Sequence, residues 1–155
     1  MEARLDILNN AMAMKVVKYL VSANKAVADS ISPATAELVK IRASQINGCG
    51  FCLDMNTKDA AQAGESPVRL HLVATWQEAT VFTEAERAAL ELAEQGTRIA
   101  DGGGVTDEAW TNAAKHYDDD QLTALVAQIA VINAFNRLNV MLKRPAGDYQ
   151  PGQFG

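Results

Sequence analysis

Cys49 and Cys52 are the two cysteines of this chain, and they stand three residues apart as Cys49-Gly50-Phe51-Cys52. Random placement would give that spacing roughly once or twice in a hundred chains of this length. On a helical turn the spacing brings both sulfurs close enough to bond. One sulfur can be oxidised to a sulfenic acid, and the other can condense with it to a disulfide. Asn47-Gly48 reads as the end of one helix and the cysteine pair as the opening of the next. Free N–H groups and the helix dipole at such a start stabilise a thiolate, the form that attacks peroxides and disulfides.

Other uses of the pair compete with this one. A structural disulfide would close too short a loop to constrain the unfolded chain much, and a reducing compartment would open it. A zinc site would have to recruit His71 and His116, neither of which has a second ligand at finger spacing, so no metal is expected. Two inert core thiols form the strongest alternative, and the helix-start position argues against it. Glu37 lies twelve residues before Cys49 among Ala34, Leu38 and Ile41. Partly buried as its helix packs, it could take a proton from a thiol, directly or through water, if desolvation raises its pKa. The alternative is an ordinary glutamate on a helix surface.

The elements that must position these groups read as helices throughout. Alanine and leucine abound, and no period-2 stretch is long enough to defend as a strand. A first helix is expected from Ala3 to Asp29, with Leu5, Leu8, Met12, Val16, Leu20 and Val27 as its apolar face. Ser32-Pro33 opens a second helix that ends at Asn47-Gly48. A third runs from the cysteines to Gly64, and Ser66-Pro67 starts a short one carrying His71 and Trp76. Thr83 and Glu86 have capping-box spacing for a helix reaching Gly102-Gly103-Gly104. Thr106-Asp107-Glu108 opens the next. The last begins near Asp118 and stops before Pro145. Residues 1–145 are expected to form one domain, and residues 146–155 an irregular tail able to reach a neighbouring copy.

Composition narrows the partners. The chain has 155 residues, 48% of them hydrophobic, enough to fill one core without metals or staples. Its net charge of −5 offers no basic surface for nucleic acid or anionic lipid. No apolar run is read as a bilayer span, and the start Met1-Glu2-Ala3-Arg4 is not that of a secretory signal, so a cytoplasmic location is expected.

The stretch from Glu37 through Ile41, Asn47-Gly48 and Cys49-Gly50-Phe51-Cys52 to Asp54-Met55-Asn56 and Ala60 resembles the alkylhydroperoxidase D-like, or carboxymuconolactone decarboxylase, family. The sharp match spans about Glu37 to Gly64. The helical order and Asn136-Arg137 are similar over most of the chain. The resemblance implies an all-α, single-domain bundle that assembles into trimers or hexamers. It implies that Cys52 attacks the peroxide, that Cys49 resolves the sulfenic acid, and that Glu37 helps move the proton. It implies an external dithiol reductant, such as a lipoyl-bearing adaptor, and no bound cofactor is expected. The family pattern puts a histidine four residues after the second cysteine, where this chain has Asn56, and some members carry one where Phe51 stands. An amide can orient water or donate a hydrogen bond, but it cannot shuttle a proton as imidazole does.

Further residues carry weaker signals. Asn133, Asn136 and Asn139 recur every three residues, as a stripe lining a site or contact or as a hydrogen-bonded face. Trp76 and Trp110 read as core or interface anchors, or as pocket walls. Met12 and Met14 read as packing residues. Asp118-Asp119-Asp120 coincides with a helix start, so capping explains it better than metal binding. The expected function is a thiol-dependent antioxidant oxidoreductase acting on a hydroperoxide or disulfide. The alternatives are a lactone decarboxylase-like enzyme and a non-enzymatic redox-sensing oligomer.

Overall fold

The computed structural model describes residues 1–154, and its regular structure is helical, with no strand among them. Eight α-helices follow one another: α1 Ala11–Ala26, α2 Pro33–Asn47, α3 Gly50–Gln62, α4 Pro67–Leu72, α5 Glu84–Thr97, α6 Ile99–Gly102, α7 Asp107–Ala113 and α8 Asp119–Met141. A 3-10 turn, Val73–Thr75, extends α4. The chain is thus the single-domain, all-α bundle expected from its residues.

Local chemistry sets most of the starts. The Ser32 side chain accepts from the Thr35 N–H, with Pro33 at the first helical position. Thr83 with Glu86, and Asp118 with Gln121, form reciprocal capping boxes. At the centre, α2 packs on α5, α8 and α3. Val39, Ala89, Leu92 and Leu125 form one apolar cluster, and Leu38, Ile41, Leu90, Val73 and Trp76 form a second. Each fully buried leucine adds about 1.5–3 kcal/mol relative to an exposed one.

Charged groups fix the irregular stretch between α4 and α5. Arg87 donates to the carbonyls of Trp76, Gln77 and Ala79. Its guanidinium lies 5.4 Å from the Trp76 ring centre. Arg69 bridges Glu65 and Glu86. Glu94 accepts from Arg42, from the Trp76 indole N–H and from Gln77. Trp76 is therefore a core anchor with its polar edge satisfied.

Three expectations change. The first helix is shorter, because Asn10 caps it by accepting from the Ala13 N–H. Upstream, Asp6 holds a turn through Leu8 and Asn9, and Arg4 bonds to the carbonyls of Met141 and Leu142. The face turned inward is Ala13, Val17, Leu20, Asn24 and Val27, whereas Leu5, Leu8, Met12 and Val16 stay exposed. The helix expected to reach Gly102 breaks at Arg98 into α5 and α6. Finally, α8 is long and apolar enough by length and composition to cross a membrane, where no apolar run is expected to reach a bilayer span. Half of that apolar window is buried inside this chain, as in a core helix.

Burial opposes ionisation of Glu86 and Glu94. The bonds from Arg69, and from Arg42 and Trp76, outweigh it and hold both carboxyls below their usual 4.5. Carboxyls lowered in the folded state contribute stability that is complete above their unfolded value and lost as pH falls through the folded one. We expect unfolding free energy to be level at neutral pH and to fall below about pH 4.5. Glu94→Gln should cost about 2 kcal/mol at pH 7 and flatten that acid loss. Urea unfolding across a pH series reads both, and an unchanged acid slope would rule out Glu94 as a contributor.

Candidate active site

The turn that presents the cysteines is built by backbone geometry. Gly48 takes a left-handed conformation, φ 65°, after α2. Its N–H and that of Cys49 return to the carbonyls of Gln45 and Ser44. This closes α2 and aims the chain into α3 within two residues. Cys49 is the N-cap of α3, its sulfur accepting from the Cys52 N–H at 3.3 Å. The two sulfurs are bonded to each other, with the Cα atoms 5.3 Å apart. Each cysteine is about 1% exposed, packed with Ala43, Ile132 and Phe135.

An amide network from α8 adjoins the pair and touches it at Cys52. Asn139 donates to the Cys52 sulfur at 3.4 Å. Asn136 donates to the Ser44 hydroxyl and accepts from Asn47, and Asn133 also accepts from Asn47, each at 2.9–3.0 Å. Asn133 donates in turn to Thr97 at the end of α5. The asparagine stripe is thus buried, hydrogen-bonded, and in contact with one of the two sulfurs. Sequence reading singled out the stripe but not this target. It took Asn47 only as a helix stop, whereas Asn47 ties the cysteine turn to α8.

The other expected site residues are placed as follows. Asn56 lies one turn after Cys52 on the buried stripe of α3, 3% exposed. Its Nδ2 has no hydrogen-bond partner among the described residues. Glu37 sits in the first half of α2 and bonds neither sulfur. Its Oε1 pairs with Lys40 at 2.6 Å, and its Oε2 is buried without a partner. A buried donor on α3 and a buried acceptor on α2 are therefore both left open, and α2 and α3 pack on each other. His71 and His116 are exposed, on α4 and beyond α7, so neither stands in for the missing imidazole in this core. Among the described residues no group of three His, Cys, Asp or Glu could hold a metal ion. Trp110 is exposed and lines an apolar groove of about 490 Å³ between α5 and α8, with Ile99, Val105 and Val126.

Residues 146–154, read only as an irregular tail, fold back onto α3 of the same chain. Gly147 and Tyr149 donate their N–H groups to Asp54, and the Tyr149 hydroxyl bonds Asp59. Tyr149 is buried.

Asn139 should stabilise negative charge on the reduced Cys52 sulfur. We expect Asn139→Leu to slow alkylation of Cys52 in the reduced chain about tenfold at neutral pH, one charge-assisted hydrogen bond being worth that much. Alkylation timed by mass spectrometry tests this, and an unchanged rate would remove Asn139 from the site. Asn136→Leu should cost about 2–3 kcal/mol by removing the bonds to Ser44 and Asn47 and leaving Asn47 with Asn133 alone, read by urea unfolding.

The model of the carboxymuconolactone decarboxylase family matches residues 15–95. The protein YdfG of Bacillus subtilis (strain 168) is 42% identical over 113 residues, 73% of this chain and 76% of that one. The crystal structure of ATU0492 from Agrobacterium tumefaciens, of unknown function and described as a candidate antioxidant defence protein AhpD, superimposes with a TM-score of 0.87. It is 30% identical, over 96% of this chain and 100% of that one. The debrominase Bmp8 shares the fold at 19% identity and a TM-score of 0.79, over 92% of this chain and 75% of its own. With the family match covering most of α1, all of α2 to α4 and most of α5, and a helical bundle that superimposes over nearly its whole length, this chain belongs to the carboxymuconolactone decarboxylase family and has the AhpD-like fold.

Proposed function

We propose that this protein is a thiol-dependent oxidoreductase that reduces a hydroperoxide through a Cys49–Cys52 dithiol/disulfide cycle. The observation that carries the reading is the bonded cysteine pair at the start of α3, with a hydrogen-bond donor on Cys52. In the reduced state the Cys52 thiolate attacks one peroxide oxygen. The O–O bond breaks, the alcohol leaves with a proton, and Cys52 becomes a sulfenic acid. The Cys49 thiolate then attacks that sulfur, a protonated hydroxide leaves as water, and the disulfide forms. An external dithiol returns two electrons and two protons. A lipoyl-bearing adaptor is the expected donor.

Asn56 replaces an imidazole, so it cannot pass a proton. The Glu37 carboxylate, with its Oε2 open, would take up the proton instead, directly or through water. The same substitution favours a second reading, in which the substrate is a disulfide and the step needs less proton delivery. The apolar face of α1, with Met12, Val16 and Tyr19 exposed, supports assembly into a homo-oligomer, a trimer or hexamer by family resemblance.

Cys52→Ser should abolish peroxide consumption with a dithiol supplied, while leaving helical content intact. Glu37→Gln should slow it about a hundredfold, within the usual range for lost acid–base assistance. Asn56→His should accelerate it. Stopped-flow peroxide assays on the three variants test the cycle, and undiminished consumption by Cys52→Ser would overturn it.

A further inference from the structure

We infer that the groove walled by α5, α6, α7 and α8 is a binding site for a free carboxylic acid with a single apolar chain of medium length. The site is separate from the cysteine pair, and the inference does not rest on the redox reading above.

The walls are apolar and open. Val126, Ala130, Asn133 and Arg137 of α8 line the groove, and their spacing puts them on one face of the helix. That stripe is about 16 Å long, close to the reach of a medium-length alkyl chain. Opposite it stand Gly96 of α5, Ile99 of α6 and Trp110 of α7. A Cβ at Gly96 would meet Ile129 Cγ2 at 3.2 Å, so α5 and α8 meet there at the base of the groove. Ile99, Val105, Trp110 and Val126 are 62, 42, 43 and 47% exposed. Single exposed apolar side chains are ordinary, but four around one cavity of about 490 Å³ form a patch of the kind that marks a binding surface. The volume lies in the range of small-molecule sites.

One end of the groove is polar and cationic. The buried Asn133 amide is held from both sides there. Its nitrogen donates to Thr97 Oγ1 at 3.0 Å, and its oxygen accepts from Arg137 Nη1 at 3.0 Å. The same Nη1 donates to the Asn133 carbonyl at 3.2 Å, which draws the guanidinium back onto the groove. Arg137 Nε and Nη2 have no acceptor among the described residues, and no carboxylate pairs with Arg137 there. None of the groove's lining residues is acidic, so Arg137 supplies its charge. A carboxylate at this end can accept from the guanidinium edge and from the Thr97 hydroxyl. Its chain then covers Ile99, Trp110 and Val126. A neutral apolar molecule would leave the guanidinium unpaired, so charge complementarity selects an anion. The cluster around the cysteines, with Ala43, Ile132 and Phe135, shares no residue with the groove.

The test uses the full chain with decanoate, and with decan-1-ol as the uncharged probe. Trp110 emission reports binding, since Trp76 is buried, and calorimetry gives the stoichiometry. Decanoate should bind saturably, one per chain, with a blue shift that Trp110→Phe removes. Arg137→Gln should weaken decanoate about tenfold or more and decan-1-ol less than about twofold, because one charge-assisted contact is lost. Val126→Glu, on the exposed wall, should also weaken decanoate more than decan-1-ol, and it carries the test if circular dichroism shows Arg137→Gln unfolded. Decanoate affinity within about twofold of the intact chain in a folded variant would overturn the site. So would the absence of saturable binding. Sedimentation tests the other occupant, a second copy of the chain. If the intact chain is an oligomer that Val126→Glu splits, and decanoate binds neither form, the groove is a contact between copies and the proposal fails.

Discussion

One buried amide network holds the arrangement of the site together. Asn47 closes α2, and its side chain is clasped by Asn133 and Asn136 of α8. That clasp fixes where the chain turns, and two residues later the turn delivers Cys49. Further along α8, Asn139 reaches Cys52. Buried amides are costly unless paired, so each bond here does two things. It relieves a desolvation penalty, and it sets the register of α2 and α3 against α8. Apolar packing alone would tolerate a small slide of α8 along its neighbours, whereas paired amides do not.

The two half-buried carboxylates of α2 and α5 are engaged to different degrees. Glu94 is committed to Arg42 and Trp76 and has a structural role. Glu37 has one oxygen on Lys40 and one facing the interior unpaired. Asn56, on the cysteine helix, has an unpaired buried donor.

Much of this was legible in the sequence because it is decided locally. Ser32-Pro33, Thr83 with Glu86, Asp118 with Gln121 and Asn47-Gly48 each act within a few residues, and helices start or stop beside them. The cysteine pair was legible for the same reason. What escaped depends on distant partners. The inward face of α1 is Ala13, Val17 and Leu20, not Met12 and Val16, because two apolar stripes compete and only α8 chooses between them. The destination of Asn139 could not be read, since 87 residues separate it from Cys52. The tail gave no periodicity to read, and its anchors Asp54, Lys58 and Asp59 look like ordinary solvated charges of a helix.

The close approach of Ala146 to Gly50 has a consequence for how this sequence can vary. Even one methyl group at position 50 would require its neighbour to yield by a few tenths of an ångström. The smallest residue in the motif thus sets the clearance between two segments that are almost a hundred positions apart. Enlarging it would act as a wedge, pushing the irregular segment at Ala146 away from the start of α3.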